Sequence, residues 1–320
     1  MRKAFALLFI SASFLSHAES KFLNWCASIL PHHNSQDVTN YPYAPTNFPP
    51  ALRAEILGYD IKSYQDFART QAAQLAAQFF DHSPGAIFDE LSNSYSKFLL
   101  STGKKQSNVY NRLGSNKDPH LYNFLGDSSP PTPNDSAIET FAKKLFALSE
   151  GNIEKSYREK NGESPFIESH YYKGQWHSSA SPKYRTLHGE EISAGAILRE
   201  DNYKIADDKT SELTKSKLQL RSCYPKEGRI IMKDVFARID KLKNKSWEEA
   251  KLDYAVAMRG FFISTPLYSG TAGIGRIYFS ALASRLSGKA VTLPADIDIH
   301  AMTLNEADFT NWMTNEVDIF

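Results

Sequence analysis

Cysteine is almost missing from this chain. Two in 320 residues, Cys26 and Cys223, exclude a disulfide-stapled scaffold, and neither has a partner at metal-ligand spacing, which argues against a zinc site. In an oxidising compartment the two could form one long-range bridge, worth about 4–5 kcal/mol on the loop-closure model; two unlinked thiols are the equal alternative. An excess of one charge is missing as well. Lys and Arg number 37 against 36 Asp and Glu, and a net +1 excludes broad electrostatic capture of nucleic acid or of an anionic membrane. No apolar run is long enough to span a bilayer, so stable membrane insertion is not expected. Internal repeats and low-complexity tracts are absent. No serine sits in a nucleophile-elbow context and neither cysteine neighbours a plausible base, so covalent catalysis has no support. His32, His33, His170 and His177 are isolated and lack metal spacing.

What is present fits a soluble globular protein: 42% hydrophobic and 23% charged residues over a length that can bury a substantial core. The first residues are set apart. Met1-Arg2-Lys3 is basic, Ala4 to Leu15 is apolar, and Ser16-His17-Ala18 ends on a small residue, the pattern of a secretory signal peptide over 1–18. A single domain over 19–320 is then expected, in a secreted protein acting as a monomer.

Along that domain helix signals dominate. Tyr41 to Pro50 (YPYAPTNFPP) reads as an extended surface segment. Ile61 to Phe80 carries Tyr64, Phe67, Ala68, Ala72, Leu75, Ala76 and Phe79 on one face. Ser83-Pro84 opens a second helix as N-cap and first-turn proline. Asp127 to Asp135 reads as a loop ending in a capping box, Ser136 with Glu139, and a helix follows to Gly151. From Asn152 to about Lys183 the periodicity fades, and long loops are expected. Tyr184 to Leu187 and Glu191 to Leu198, broken at His188-Gly189, read as a small hairpin. Helices return after Pro225: one with Ile230, Ile231, Val235, Phe236 and Ile239; a second opened by Ser246 and Glu249 with Leu252, Val256 and Phe261 inward; a third closed by Gly288; and a last opened by Thr303 and Glu306. The expectation is a mainly α fold (α+β) with a small β-hairpin, 19–180 being the helical and loop part and 181–320 the nucleotide-binding part.

The stretch TPLYSGTAGIGRIYFSALASRLSG, Thr265 to Gly288, carries the chemistry. Gly270, Gly273 and Gly275 with small residues between them lead through Arg276 into a helix. Backbone N–H groups at such a start, with the helix dipole and an arginine, suit a phosphate or pyrophosphate. A P-loop is excluded because Arg276 replaces its lysine and Ile277 its metal-binding Ser/Thr. A dinucleotide fingerprint fails because the glycine order is reversed and no alternating β/α pattern surrounds it.

Gly273-Ile274-Gly275-Arg276 resembles the Gly-Asn-Gly-Arg segment of Fic proteins, but Tyr268 stands in place of the Fic histidine, Ala272 of the acidic metal ligand and Ile274 of the asparagine. Fic-type AMP transfer would then lack its proton acceptor. Read onward, SALASRLSG, TLP, DIDIHAM and NEADF resemble the C-terminal part of the AvrB family of bacterial effectors, which have a Fic-related Fido fold and also lack that histidine. Tyr184-Arg185-Thr186-Leu187-His188-Gly189 resembles the family's Tyr-Leu-His-Gly turn, and Arg229-Ile230-Ile231-Met232-Lys233-Asp234 its upstream segment. The resemblance covers roughly 180–320. It implies a Fido-like helical domain and a glycosyltransferase that moves a rhamnose-like deoxysugar from a nucleotide diphosphate donor to a Thr or Ser hydroxyl of a host protein, with the nucleotide sugar as co-substrate and no further cofactor or metal. Carried over, Asp298 matches an aspartate of the family's pocket and His188 is the second catalytic candidate. Tyr268, Ser269, Thr271, Gly273, Gly275, Arg276 and Lys233 would meet the donor. The family's Arg-Gly-Ser turn reads Ser269-Gly270-Thr271 here, so Arg276 would supply the charge. The alternatives are Fic-type nucleotidyl transfer and a non-catalytic effector that binds a host protein through the retained cleft. Lys233 and Arg229, a turn apart, also read as an exposed basic face, and Asp296 is chemically the equal of Asp298.

Overall fold

In the computed structural model the residues described are 48, 61–102, 113, 121–124, 167–172, 175–180, 182–205, 211–267, 270–294 and 297–316. They are mostly helical. Helix α1 (Ile61–Gln78) buries Tyr64, Ala68, Ala72, Ala73, Leu75 and Ala76, the stripe its periodicity predicts. Small alanines on that stripe let α1 lie close along α5 (Thr271–Ser287). Helix α2 (Pro84–Ser101) starts as expected: Ser83 is extended, its hydroxyl accepts from the Ala86 N–H at 3.3 Å, and Pro84 occupies the first turn.

Helix α3 (Pro225–Asp240) buries Ile231, Val235 and Ile239 and runs against α4 (Trp247–Ser264). The α4 capping box forms, with Glu249 accepting from the Ser246 N–H at 2.9 Å and from its hydroxyl at 2.7 Å. Leu252, expected inward, is instead 60% exposed: Tyr254, Ala255 and Met258 take the buried face, and Leu252 falls outside that arc. Helix α5 ends at Gly288, whose φ of +69° is a left-handed cap that glycine adopts without steric cost. Helix α6 (Ile297–Thr303) and α7 (Glu306–Asn311) follow, continued by a π-helical turn over Trp312–Glu316. The start of α7 differs from expectation. Asn305, not Thr303, is its N-cap, accepting from the Asp308 N–H at 2.9 Å, because Thr303 closes α6.

The core between α2, α4 and α5 is aromatic. Phe88 meets Phe261 edge to face at 5.6 Å, Phe279 meets Phe261 and Tyr278 in the same way, Phe79 lies edge-on 5.1 Å from Tyr278, and Phe261 and Tyr278 are stacked. Such contacts add about 0.5–1.5 kcal/mol each to the burial of the rings.

Strand content exceeds the expectation. The predicted hairpin is there, as β4 (Lys183–Arg185) paired with β5 (Glu191–Ser193). A second, five-stranded antiparallel sheet has the order β1-β7-β6-β3-β2, from β1 (Leu121–Phe124), β2 (Ile167–Tyr172), β3 (Gln175–Ala180), β6 (Ala196–Ile205) and β7 (Ser211–Arg221). The segment 152–183, expected as loops, therefore contains β2 and β3, and β6 runs past Leu198 to Ile205, its register with β7 shifting between Asn202 and Tyr203. All described residues belong to one unit, Tyr41–Phe320. Segment 1–18, expected to be a signal peptide, Cys26, and the helix expected over 136–150 lie outside the described residues.

Candidate functional site

The start of α5 is where the glycine-rich stretch comes to rest. Only Gly270 stands in a turn; its φ is +87°, and its carbonyl accepts from the Ile274 N–H at 2.8 Å. Gly273 and Gly275 belong to the helix itself. This corrects the expectation of a glycine turn running to Arg276, and the reason is packing. A Cβ on Gly273 would lie 2.8 Å from the Tyr95 hydroxyl, and one on Gly275 2.6 Å from Cε1 of Phe262 and 2.7 Å from Cε1 of Phe261. These glycines admit aromatic rings against the helix. The Thr271 hydroxyl lies 3.3 Å from both the N–H and the carbonyl of Leu267. Tyr268 and Ser269, the other expected lining residues, are outside the described residues, as is Asp296.

Arg276 stands in the second turn of α5 and is completely buried. One guanidinium nitrogen, Nη2, donates to the Leu293 carbonyl at 3.3 Å, and the Phe48 ring centroid lies 5.3 Å from Cζ. The guanidinium charge also acts on the Tyr64 hydroxyl of α1. Asp298, in the first turn of α6 and half-buried, acts on the same hydroxyl by charge. Burial pushes the Tyr64 phenol up; Arg276 works against that shift and Asp298 reinforces it. Two residues selected from the sequence, Arg276 and Asp298, thus bear on one buried phenol that the sequence analysis assigned only to a helix face.

The β4–β5 hairpin is built differently. Its tip closes by backbone bonds, Gly189 N–H to Thr186 carbonyl and Thr186 N–H to Glu190 carbonyl, each 2.9 Å. Side chains from three helices then fasten it. Asp234 of α3 accepts from the Tyr184 hydroxyl at 2.7 Å and from the Leu187 N–H at 2.8 Å. Arg238, a turn further on, donates to Asp234 at 2.8 Å and to the Arg185 carbonyl at 2.9 Å, and reaches Asp253 at 3.3 Å. Arg259 of α4 donates to the Lys183 carbonyl at 2.7 Å and to the Leu304 carbonyl at 3.1 and 3.2 Å, while Glu306 of α7 accepts from the Arg185 N–H at 3.4 Å. Burial pulls the Arg259 guanidinium down to about 10, with Glu306, Tyr184 and Asp308 opposing the shift. Burial, then the Asp234 hydrogen bond, pushes the Tyr184 phenol far up. Asp234 was visible in the sequence only as part of a motif, and Arg238 and Arg259 were missed; the Asp-to-Arg spacing of four on α3 was the readable signal.

His188 is exposed at the tip and makes no hydrogen bond or ion pair to another described residue. Lys233 and Arg229 are exposed on α3, and Arg229 donates to the Leu113 carbonyl. The structure therefore gathers Arg276 and Asp298 around Tyr64, and sets His188 and Lys233 on exposed surfaces. Among the described residues there is no group of His, Cys, Asp and Glu able to hold a metal ion, and no helix long and apolar enough to cross a membrane. No protein-family model matches the chain, and no curated protein matches it.

Proposed function

We propose that this chain is a secreted transferase that moves a deoxysugar from a nucleotide diphosphate donor to a Thr or Ser hydroxyl of a host protein. The observation that carries the reading is the convergence of Arg276 and Asp298 on Tyr64 at the start of α5. A cation held near the N-terminal end of a 17-residue helix offers a diphosphate both a full charge and the helix dipole. A half-buried carboxylate close by can take a proton.

In the reaction the bond from the sugar's anomeric carbon to the diphosphate oxygen breaks, and its electron pair leaves on the nucleoside diphosphate. The acceptor oxygen bonds to that carbon and its proton passes to the Asp298 carboxylate. Arg276 neutralises the charge that grows on the leaving diphosphate. Exposed His188 suits contact with the acceptor protein more than with the donor.

Transfer of labelled sugar from a panel of nucleotide diphosphate sugars onto acceptor protein tests this. Wild type should label an acceptor, and Asp298→Asn should label it at least about a hundredfold more slowly, the usual contribution of a general base. Equal labelling by both proteins removes Asp298 from the mechanism.

The packing role of Gly273 and Gly275 favours one second reading, a non-catalytic effector that binds a host protein. It calls for a biological effect that survives Asp298→Asn and is lost when surface residues change.

A further inference from the structure

We infer that the outer face of α3 is a docking surface for an acidic segment of a partner protein. The inference does not depend on the transferase reading. Helix α3 turns Ile231, Val235 and Ile239 into the core. The opposite arc carries Lys226, Arg229, Lys233 and Ala237, and Lys241 and Lys243 follow in the next turn, all of them exposed. At 1.5 Å per residue, the stripe from Lys226 to Lys241 is about 22 Å long.

This face lacks counterions. Cations elsewhere on the surface stand beside a carboxylate: Arg69 is 3.1 Å from Asp66, Lys245 3.2 Å from Asp253 and Lys183 3.9 Å from Glu191. Lys226, Lys233, Lys241 and Lys243 form no ion pair with another described residue, and Arg229 meets only the neutral Leu113 carbonyl. The carboxylates of α3 do not neutralise them. Asp234 serves the hairpin and Arg238, Glu227 is half-buried with one oxygen enclosed, and Asp240, on the same arc, pairs with none of them. Like charges three or four residues apart on a helix repel, and an acidic partner relieves that repulsion. Because the whole chain holds 37 basic against 36 acidic residues, the excess is local. Exposed acids flank it: Glu190 in the hairpin turn that Asp234 holds against α3, and Glu248 and Glu249 where α4 begins. A nucleic acid or an anionic bilayer, negative throughout, meets these acids along with the lysines. An acidic segment of limited width on a protein meets the lysines alone.

Fluorescence anisotropy of a labelled decaglutamate peptide, titrated with the full chain, tests this. The double variant Lys226→Glu with Lys233→Glu is compared with Lys97→Glu with Arg285→Glu. The second pair makes the same change in net charge at isolated exposed cations of α2 and α5. Circular dichroism confirms folding, and glutamine in place of glutamate at all four positions serves if a reversal variant unfolds. The expected result is peptide binding by wild type that weakens as salt is raised, falls about tenfold or more in the α3 variant and stays within about twofold in the other. Equal loss in both variants means that net charge alone acts and overturns the inference, as does absence of binding. Tighter binding of oligothymidylate or of phosphatidylserine vesicles than of decaglutamate overturns it in favour of nucleic acid or membrane. Self-association in sedimentation that the α3 substitutions abolish overturns it in favour of a second copy of this chain.

Discussion

Under the β4–β5 hairpin, Arg238 is buried with its guanidinium 2.8 Å from the Asp234 carboxylate; at the start of α5, Arg276 is buried beside the Phe48 ring, the Leu293 carbonyl and the Tyr64 phenol, on which Asp298 also acts by charge. The first arrangement is a closed network. Asp234 serves Tyr184, Leu187 and Arg238 together, and Arg238 serves Asp234, Arg185 and Asp253. Charge and geometry there are spent on fixing a hairpin. The second presents its cation beside a helix start and a half-buried acid. Among the buried arginines, Arg238 and Arg259 thus hold the hairpin, and Arg276, on our reading, holds a ligand.

The largest effect that sharpens the comparison comes with alkaline pH. Burial holds the phenols of Tyr184, in the hairpin network, and of Tyr254 and Tyr278, in the helical core, above the ordinary value of 10.0. A proton held more tightly in the folded than in the unfolded state contributes stability that is complete below pH 10 and is lost as pH rises above it. Arg259, pulled down to about 10 from 12.5, acts in the opposite sense over the same range, but one guanidinium stands against these three phenols and that of Tyr64, which burial also pushes up. Unfolding above pH 10 is expected, with the last phenolates appearing only as the helix signal disappears. Full phenolate absorbance with the helix signal intact contradicts the burial assigned to these rings.

Next in size is Asp234→Ala. It leaves the Arg238 charge buried beside a truncated partner and should cost about 3–5 kcal/mol in denaturant unfolding. The double variant Asp234→Ala with Arg238→Met should recover part of that loss, since an apolar pair needs no countercharge. A cost below about 1 kcal/mol would place this pair with exposed ones. At α5, Gly275→Ala should cost about 1–3 kcal/mol by overpacking, as its Cβ meets two phenyl rings. Gly288→Ala meets nothing within 4 Å and should cost about 1–2 kcal/mol through its left-handed backbone alone. Repacking by a smaller side chain therefore rescues the first and not the second: Phe262→Leu combined with Gly275→Ala should be more stable than Gly275→Ala by itself. The smallest effect belongs to the exposed Lys251–Glu248 pair of α4, whose removal should change stability by about 0–0.5 kcal/mol.

Local signals made much of the helical architecture legible. Ser83-Pro84, the Ser246–Glu249 box and Gly288 each mark a boundary that depends on a few adjacent residues, and the structure keeps all three. The hairpin tip at His188-Gly189 was readable for the same reason. The five-stranded sheet was not, because its pairing is remote. Strand β1 bonds to β7, which lies almost a hundred residues further on, with Leu121 opposite Arg221, and no local periodicity announces such a partner. The site was half legible. Arg276 and Asp298 stood out by residue type and motif, but Tyr64 and Phe48 looked like ordinary apolar positions, and only the fold brings them to Arg276. Glycines mislead in an instructive way here: Gly273 and Gly275 share the composition of an anion loop, yet serve ring packing against a helix.

Calorimetric titration of wild type and Arg276→Met with uridine, thymidine and guanosine diphosphate sugars tests the central claim most directly, since methionine keeps most of the volume and removes the charge. The account predicts that at least one of these donors binds wild type and that Arg276→Met, still folded, loses about tenfold or more of that affinity. Equal affinity in the two proteins, or no binding by any donor, would contradict it.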